Sequence, residues 1–174
     1  KKILEMSNGE IKTALSSGSI TVCVVGIGRI GLPTALSFAN SGLTTIGLDI
    51  NSKLVENVNS GIYPLKDEPD YDIIFDKVIK EKKFFATTNI EESVSKADVV
   101  LLSLPTPMDK NNVPDYSALR SVGSQLSEYL QEGSLVIVES TIEPGFVENE
   151  LISIIENSKK RLTVEKNFGI GVCP

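Results

Sequence analysis

The sequence predicts an α/β domain built on a doubly wound, mostly parallel six-stranded sheet with helices on both faces. Three observations predict it. Six short apolar runs alternate with longer helical patterns along the chain. Several of those runs show no polar alternation, as expected of strands buried on both faces of a parallel sheet. A glycine-spaced turn, Gly26-Ile27-Gly28-Arg29-Ile30-Gly31, joins the first run directly to the first long helical pattern. Right-handed crossovers then favour the strand order 3-2-1-4-5-6.

The elements follow in order. Residues Ile3 to Ser17 carry apolar positions at Ile3, Leu4, Ile11 and Leu15, interrupted at Asn8-Gly9, and read as a weak helix or an extension. Ser16-Ser17-Gly18-Ser19 breaks this segment, so residues 1–19 are expected to stand as an N-terminal extension to a domain over 20–174. The strands are expected at Ile20–Val25, Thr44–Leu48, Phe84–Thr87, Val99–Leu104, Leu135–Val138 and Phe168–Val172. Helices are expected at Ile30–Asn40, Ser52–Asn59, Asp70–Lys83, Glu91–Lys96, Tyr116–Leu130 and Phe146–Asn157. Asp115 is placed to cap the fifth of these. Val147, Leu151, Ile154 and Ile155 form one apolar stripe on the last, and Pro144 lies near its start, where a missing amide costs little.

Composition narrows the function. The chain has 174 residues, 41% of them hydrophobic, enough for one domain with its own core. A net charge of -6 argues against a nucleic-acid partner, which would call for a basic face. No apolar stretch approaches the roughly 20 residues that span a bilayer, and the start lacks a secretory signal, so a cytoplasmic location without membrane contact is expected. The absence of histidine excludes a histidine base or ligand within the chain, and two cysteines cannot close a four-ligand zinc site, so no metal is expected. Cys23 lies between Val22 and Val24 and reads as a buried apolar residue; Cys173 has no cationic neighbour in sequence to activate its thiol.

In such a fold ligands bind beyond the carboxyl ends of the strands, so chemistry is sought there. Gly26, Gly28 and Gly31 make G-x-G-x-x-G in strand-turn-helix context, the dinucleotide fingerprint of a Rossmann fold. Gly26 permits the turn, Gly28 lets the backbone approach a pyrophosphate, and Gly31 allows the helix to pack on the strand. Amides at the helix start, from Arg29 and Ile30, would meet the phosphates. Asp49 ends the second strand and stands at the spacing of the acid that binds the adenosine ribose and repels a 2′-phosphate, which selects NAD as cofactor. Lys53 is a further candidate on the adenosine side. A methyltransferase fold also places an acid after strand two but does not require the complete glycine triplet.

The later strand ends are Leu104-Pro105-Thr106-Pro107, Glu139-Ser140-Thr141-Ile142-Glu143-Pro144-Gly145 and Gly171-Val172-Cys173-Pro174, with Ser60-Gly61-Ile62-Tyr63-Pro64 and Asp67-Glu68-Pro69 before the third strand. Together with Gly26 to Pro33 and Asp49-Ile50-Asn51, these resemble the UDP-glucose/GDP-mannose dehydrogenase family over about Ile20 to Pro174. Leu104 stands where that family commonly has valine. The S-T-I-E-P-G wording places the resemblance nearest the branch acting on UDP-N-acetyl-mannosamine and related N-acetylated sugars, with UDP-glucose dehydrogenases as the nearest alternative.

The resemblance implies an NAD-dependent oxidoreductase that turns the C6 alcohol of a UDP-sugar into a carboxylate in two oxidations. It implies cofactor contacts from Thr106 and Ser140, and from Thr141 the positioning of a water or a sugar hydroxyl near the reacting carbon. It implies a homodimer or higher assembly for the full-length enzyme, with the fragment monomeric. The family's cysteine nucleophile, in a Gly-Gly-x-Cys setting, and its lysine lie beyond this domain, so the 174 residues are expected to bind cofactor without turnover. A start at Lys1 and an end at Pro174 suit a piece trimmed from a longer enzyme. Glu139 and Glu143 are read as exposed or capping carboxylates. Competing readings are a β-hydroxyacid dehydrogenase, which shares the glycine start, and a stand-alone NAD-binding regulatory module.

Overall fold

The structure is a computed structural model that describes residues 2–66, 71–157 and 160–173. Among these, six strands form one sheet in the order β3-β2-β1-β4-β5-β6: β1 Thr21–Val25, β2 Thr44–Leu48, β3 Phe84–Thr87, β4 Val99–Leu102, β5 Ser134–Val138 and β6 Phe168–Val172. Every neighbouring pair is parallel. The sheet thus has the expected order, and the central strand β1 is apolar and buried from Val22 to Val25 because it is covered on both faces.

Helices cover both faces: α1 Asn8–Ser16, α2 Gly31–Asn40, α3 Ser52–Asn59, α4 Tyr71–Lys80, α5 Ile90–Val94, α6 Ser117–Tyr129 and α7 Ile152–Glu156. The period-2 alternation of β1 divides its side chains between two cores. Val22 and Val24 pack with Leu32, Leu36, Val58 and Phe75 from α2, α3 and α4. Cys23 and Val25 pack with Val94, Leu119, Leu126 and Ile155 from α5, α6 and α7.

Several boundaries differ from the sequence reading, each for a local reason. The N-terminal segment is not broken at Asn8-Gly9; those residues open α1. Ser7 is its N-cap in a reciprocal capping box, with the Ser7 amide donating to Glu10 Oε2 at 2.8 Å, and a 3-10 turn at Ile3–Glu5 precedes it. β4 stops at Leu102, not Leu104, because the Leu104 amide leaves the ladder and donates to the Ser140 hydroxyl. α4 is followed by a turn at Lys82, whose φ of 54° ends the helical run before β3. Asp67-Glu68-Pro69, Asp70 and Pro174 lie outside the described residues. The last helix opens as a π turn, Val147–Leu151, and continues as α7. Its buried stripe is Val147, Leu151 and Ile155, while Ile154 meets the α6 backbone at Gly123, where an added Cβ would stand 3.2 Å from its side chain. No helix among the described residues is long and apolar enough to cross a membrane.

Candidate functional site

A cleft of about 840 Å³ opens over the carboxyl ends of β1, β2, β4 and β5. Its floor is the turn after β1. Gly26 has φ +88°, and a side chain there would collide with the Ser103 carbonyl oxygen of the neighbouring strand end. At Gly31 a Cβ would run into the Gly26 carbonyl oxygen, so only glycine lets α2 start this close beneath the turn. At Gly28 a Cβ would meet nothing within 4 Å. The protein leaves that space clear on the cleft side, where backbone amides and the positive end of α2 favour an anion.

Asp49 lies at one end of the cleft. Its Oδ2 accepts from the Ile27 amide at 3.0 Å and its Oδ1 from the Asn51 amide at 2.9 Å. Asp49 does not cap the next helix; that role belongs to Asn51, whose side chain accepts from the Leu54 amide. The carboxylate therefore ties the end of β2 to the glycine turn and lines the cleft beside Ile50. Ile50 itself is 100% exposed beside the cleft, an apolar surface that a planar ring can cover.

The other end is made of two loops bonded to each other. Thr106 Oγ1 donates to the Thr141 carbonyl oxygen at 2.8 Å. Ser140 is buried; its hydroxyl accepts from the Leu104 amide at 2.9 Å and donates to the Leu102 carbonyl at 3.2 Å. Beyond them the Tyr116 hydroxyl accepts from the Glu143 amide at 2.9 Å, and the Tyr116 and Phe146 rings meet at a 44° tilt with centroids 4.3 Å apart. Asp115 accepts from the Ser117 amide at 2.8 Å, which holds its carboxyl below the usual aspartate range, but the N-cap of α6 is Tyr116, without a side-chain cap bond, and not Asp115 as expected. Ser140 is thus a brace for the loops, while Thr141 is exposed on the rim.

Of the residues singled out from sequence, Gly26, Gly28, Arg29, Ile30, Asp49, Thr106, Ser140 and Thr141 all line the cleft. Gly31 lies beneath it, and Lys53 is exposed on α3 and does not line it. Two groups of lining residues escaped the sequence reading. Ala118, Ser121, Val122 and Gln125 present one face of α6; their i, i+3, i+4, i+7 spacing was the available signal. Glu139 was expected to be exposed or a cap. It is half-buried, lines the cleft and accepts from the Thr34 hydroxyl of α2 at 2.9 Å. Glu143 is exposed, as expected. Cys23 is fully buried, and that burial pushes its thiol up to about 12, so it supplies no nucleophile.

A nucleotide with a diphosphate fits this arrangement: a cleared glycine at a helix start, an acid at one end and small hydroxyl side chains at the other. Comparison with known proteins gives the same answer. Residues 20–174 match the model of the UDP-glucose/GDP-mannose dehydrogenase family, NAD binding domain. The chain is 35% identical over 136 residues to the UDP-N-acetyl-D-mannosamine dehydrogenase of Pyrococcus horikoshii, covering 78% of this chain and 32% of that protein. The solved structure of UDP-D-ManNAc dehydrogenase from that organism superposes with a TM-score of 0.82 at 33% identity, over 89% of this chain and 36% of the other. A ternary complex of GDP-mannose dehydrogenase from Pseudomonas aeruginosa gives a TM-score of 0.82 at 26% identity, over 87% of this chain and 35% of the other. The chain spans about a third of the length of the curated relatives it matches.

Proposed function

The chain belongs to the UDP-glucose/GDP-mannose dehydrogenase family as its NAD binding domain, and from that premise we propose that it serves a nucleotide-sugar 6-dehydrogenase. The substrate proposed is UDP-N-acetyl-mannosamine or a closely related N-acetylated UDP-sugar. The whole enzyme then oxidises the C6 alcohol to the carboxylate, works in the cytoplasm, and assembles as a homodimer or larger. Residues 20–174 form the cofactor domain and residues 1–19 an extension to it. The observation that carries the proposal is the cleft itself, with the cleared Gly28 floor between Asp49 and the Thr106–Thr141 pair.

The roles follow from position. The amides after Gly28, at Arg29 and Ile30, take the pyrophosphate, aided by the start of α2. Asp49 accepts from the adenosine ribose hydroxyls and disfavours a 2′-phosphate by charge. Lys53, which lies outside the cleft wall, has at most a screened, long-range part in this. At the opposite end the Thr106–Thr141 tie fixes the two loops that flank the nicotinamide half. The Thr141 hydroxyl, exposed on the rim, positions a water or a substrate hydroxyl. Bound NAD supplies hydride acceptance there. Ser140 acts through the loops it braces.

Titration of the chain with NAD and NADP, followed by assay of NADH formation with UDP-N-acetyl-mannosamine, UDP-N-acetyl-glucosamine and UDP-glucose, tests the proposal. NAD is expected to bind more tightly than NADP, and none of the sugars is expected to be turned over by these 174 residues. In the enzyme of which the domain is part, UDP-N-acetyl-mannosamine is expected to react fastest. A faster reaction with UDP-glucose overturns the substrate assignment, and turnover by the chain alone overturns the division of labour.

A further inference from the structure

Glu139 follows the last residue of β5 and forms part of the cleft wall. Strand alternation sends it to the same face as Ile137, toward α2. There Oε1 accepts from Thr34 Oγ1 at 2.9 Å, while Oε2 is buried with no hydrogen-bond partner among the described residues. An unpaired buried carboxylate oxygen is strongly unfavourable, and packing does not require it: a glutamine would keep the Thr34 contact without the charge. The carboxylate also stands on a particular half of the cleft. Asp49 marks the adenosine half, beyond β2; Glu139, Thr106 and Thr141 mark the other half, beyond β4 and β5, where the nicotinamide must lie.

The two redox forms of the cofactor differ in charge at that end. The oxidised ring carries a positive charge and the reduced ring carries none. Their amide and ribose donors are otherwise alike. We propose that Glu139 is a binding residue that discriminates between the redox forms. Its charge, set in the cleft wall, holds the oxidised cofactor in preference to the reduced one. The inference rests on the NAD-binding reading above. In an enzyme that uses two oxidised cofactors per substrate, such a bias favours exchange of spent cofactor at the step between the two oxidations.

The test compares NAD+, NADH and ADP-ribose binding by calorimetry, in the chain and in Glu139→Gln. The glutamine keeps the shape and an acceptor for Thr34, removes the charge, and puts an amide NH2 where the second oxygen stood. The preference for NAD+ over NADH, read as the ratio of dissociation constants, is expected to fall by roughly tenfold. ADP-ribose, which lacks the ring, is expected to bind both proteins alike. An unchanged NAD+/NADH ratio overturns the proposal. So does an equal change in all three ligands, which would mean that Glu139 acts on the glycine turn through Thr34 and α2. Failure of the parent chain to bind any of the three overturns the cofactor reading instead. Should the glutamine variant not melt cooperatively, Glu139→Asp withdraws the charge by one methylene; a smaller fall in the ratio supports the proposal and no fall overturns it.

Discussion

At the scale of single residues, the site works because a few side chains do two things at once. Asp49 is the clearest case. One oxygen holds the Ile27 amide of the glycine turn and the other the Asn51 amide at the start of α3, so the acid proposed for the ribose also fixes the glycine turn against the end of β2. Asp49→Ala is therefore expected to weaken NAD binding by about 1–2 kcal/mol from lost charge-assisted bonds, roughly five- to thirtyfold in Kd. Calorimetric titration of parent and variant checks it, and superimposable curves would sink the ribose assignment. Asp49→Asn adds a second reading. It preserves the shape and removes the charge, so NADP is expected to gain relative to NAD. Thr106 is constrained in a similar way. Its one proton is committed to the Thr141 carbonyl, so toward a cofactor it can only accept.

At the scale of elements, the glycine turn and α2 form one unit whose three glycines have separable physical jobs. Gly31 is a packing glycine and Gly28 a cradle glycine. Gly31→Ala forces its Cβ into the Gly26 carbonyl oxygen, and no side-chain rotation can relieve that. It is expected to destabilise the fold by about 1–3 kcal/mol or more. Gly28→Ala meets no protein atom and is expected to change stability by no more than about 1 kcal/mol, yet to weaken NAD binding markedly because the methyl occupies the space of the pyrophosphate. Melting curves and NAD titrations of the two variants should therefore move in opposite columns. A Gly28→Ala protein that binds NAD normally would contradict the cradle. This division was legible in sequence because each glycine sits at a fixed offset from the strand end. The start of α1 was less so. Ser7 and Glu10 carry a capping-box signature, but Asn8-Gly9 between them reads as a breaker until the reciprocal bonds are seen.

At the scale of the whole molecule, the doubly wound topology was legible because buried parallel strands leave continuous apolar runs, and all six runs are found as strands in the expected order. What was not legible depended on contacts distant in sequence. Glu139 reads as a surface acid until Thr34, 105 residues away, is placed against it. The bracing role of Ser140 is hidden in sequence until the loop after β4 presents the Leu104 amide. The same distinction applies to the charges, whose sequence total says little about stability. Glu10, bonded to Ser7, Glu92, bonded to Lys96, Glu132, bonded to Asn167 and Lys2, and Glu150, bonded to Arg120, are all held below the ordinary glutamate value of 4.5. Asp115 is likewise held below 3.8 by the Ser117 amide. A carboxylate whose folded value is depressed binds protons more readily once unfolded. Its stabilisation is complete above the unfolded value and is lost as the pH falls through the folded one. Each of these groups is exposed, so each effect is small, but all have the same sign. Lys2, raised by Glu5 and then Glu132, and Arg120, raised by Glu150, lose their share only at strongly alkaline pH. The melting temperature is therefore expected to be flat from about pH 7 to about pH 5, and to fall progressively below about pH 4.5. Calorimetric scans across that range decide it. A melting temperature that rose on acidification through pH 4 would mean that relief of repulsion among the acidic groups, which carry the net charge to -6, outweighs the loss of these local bonds.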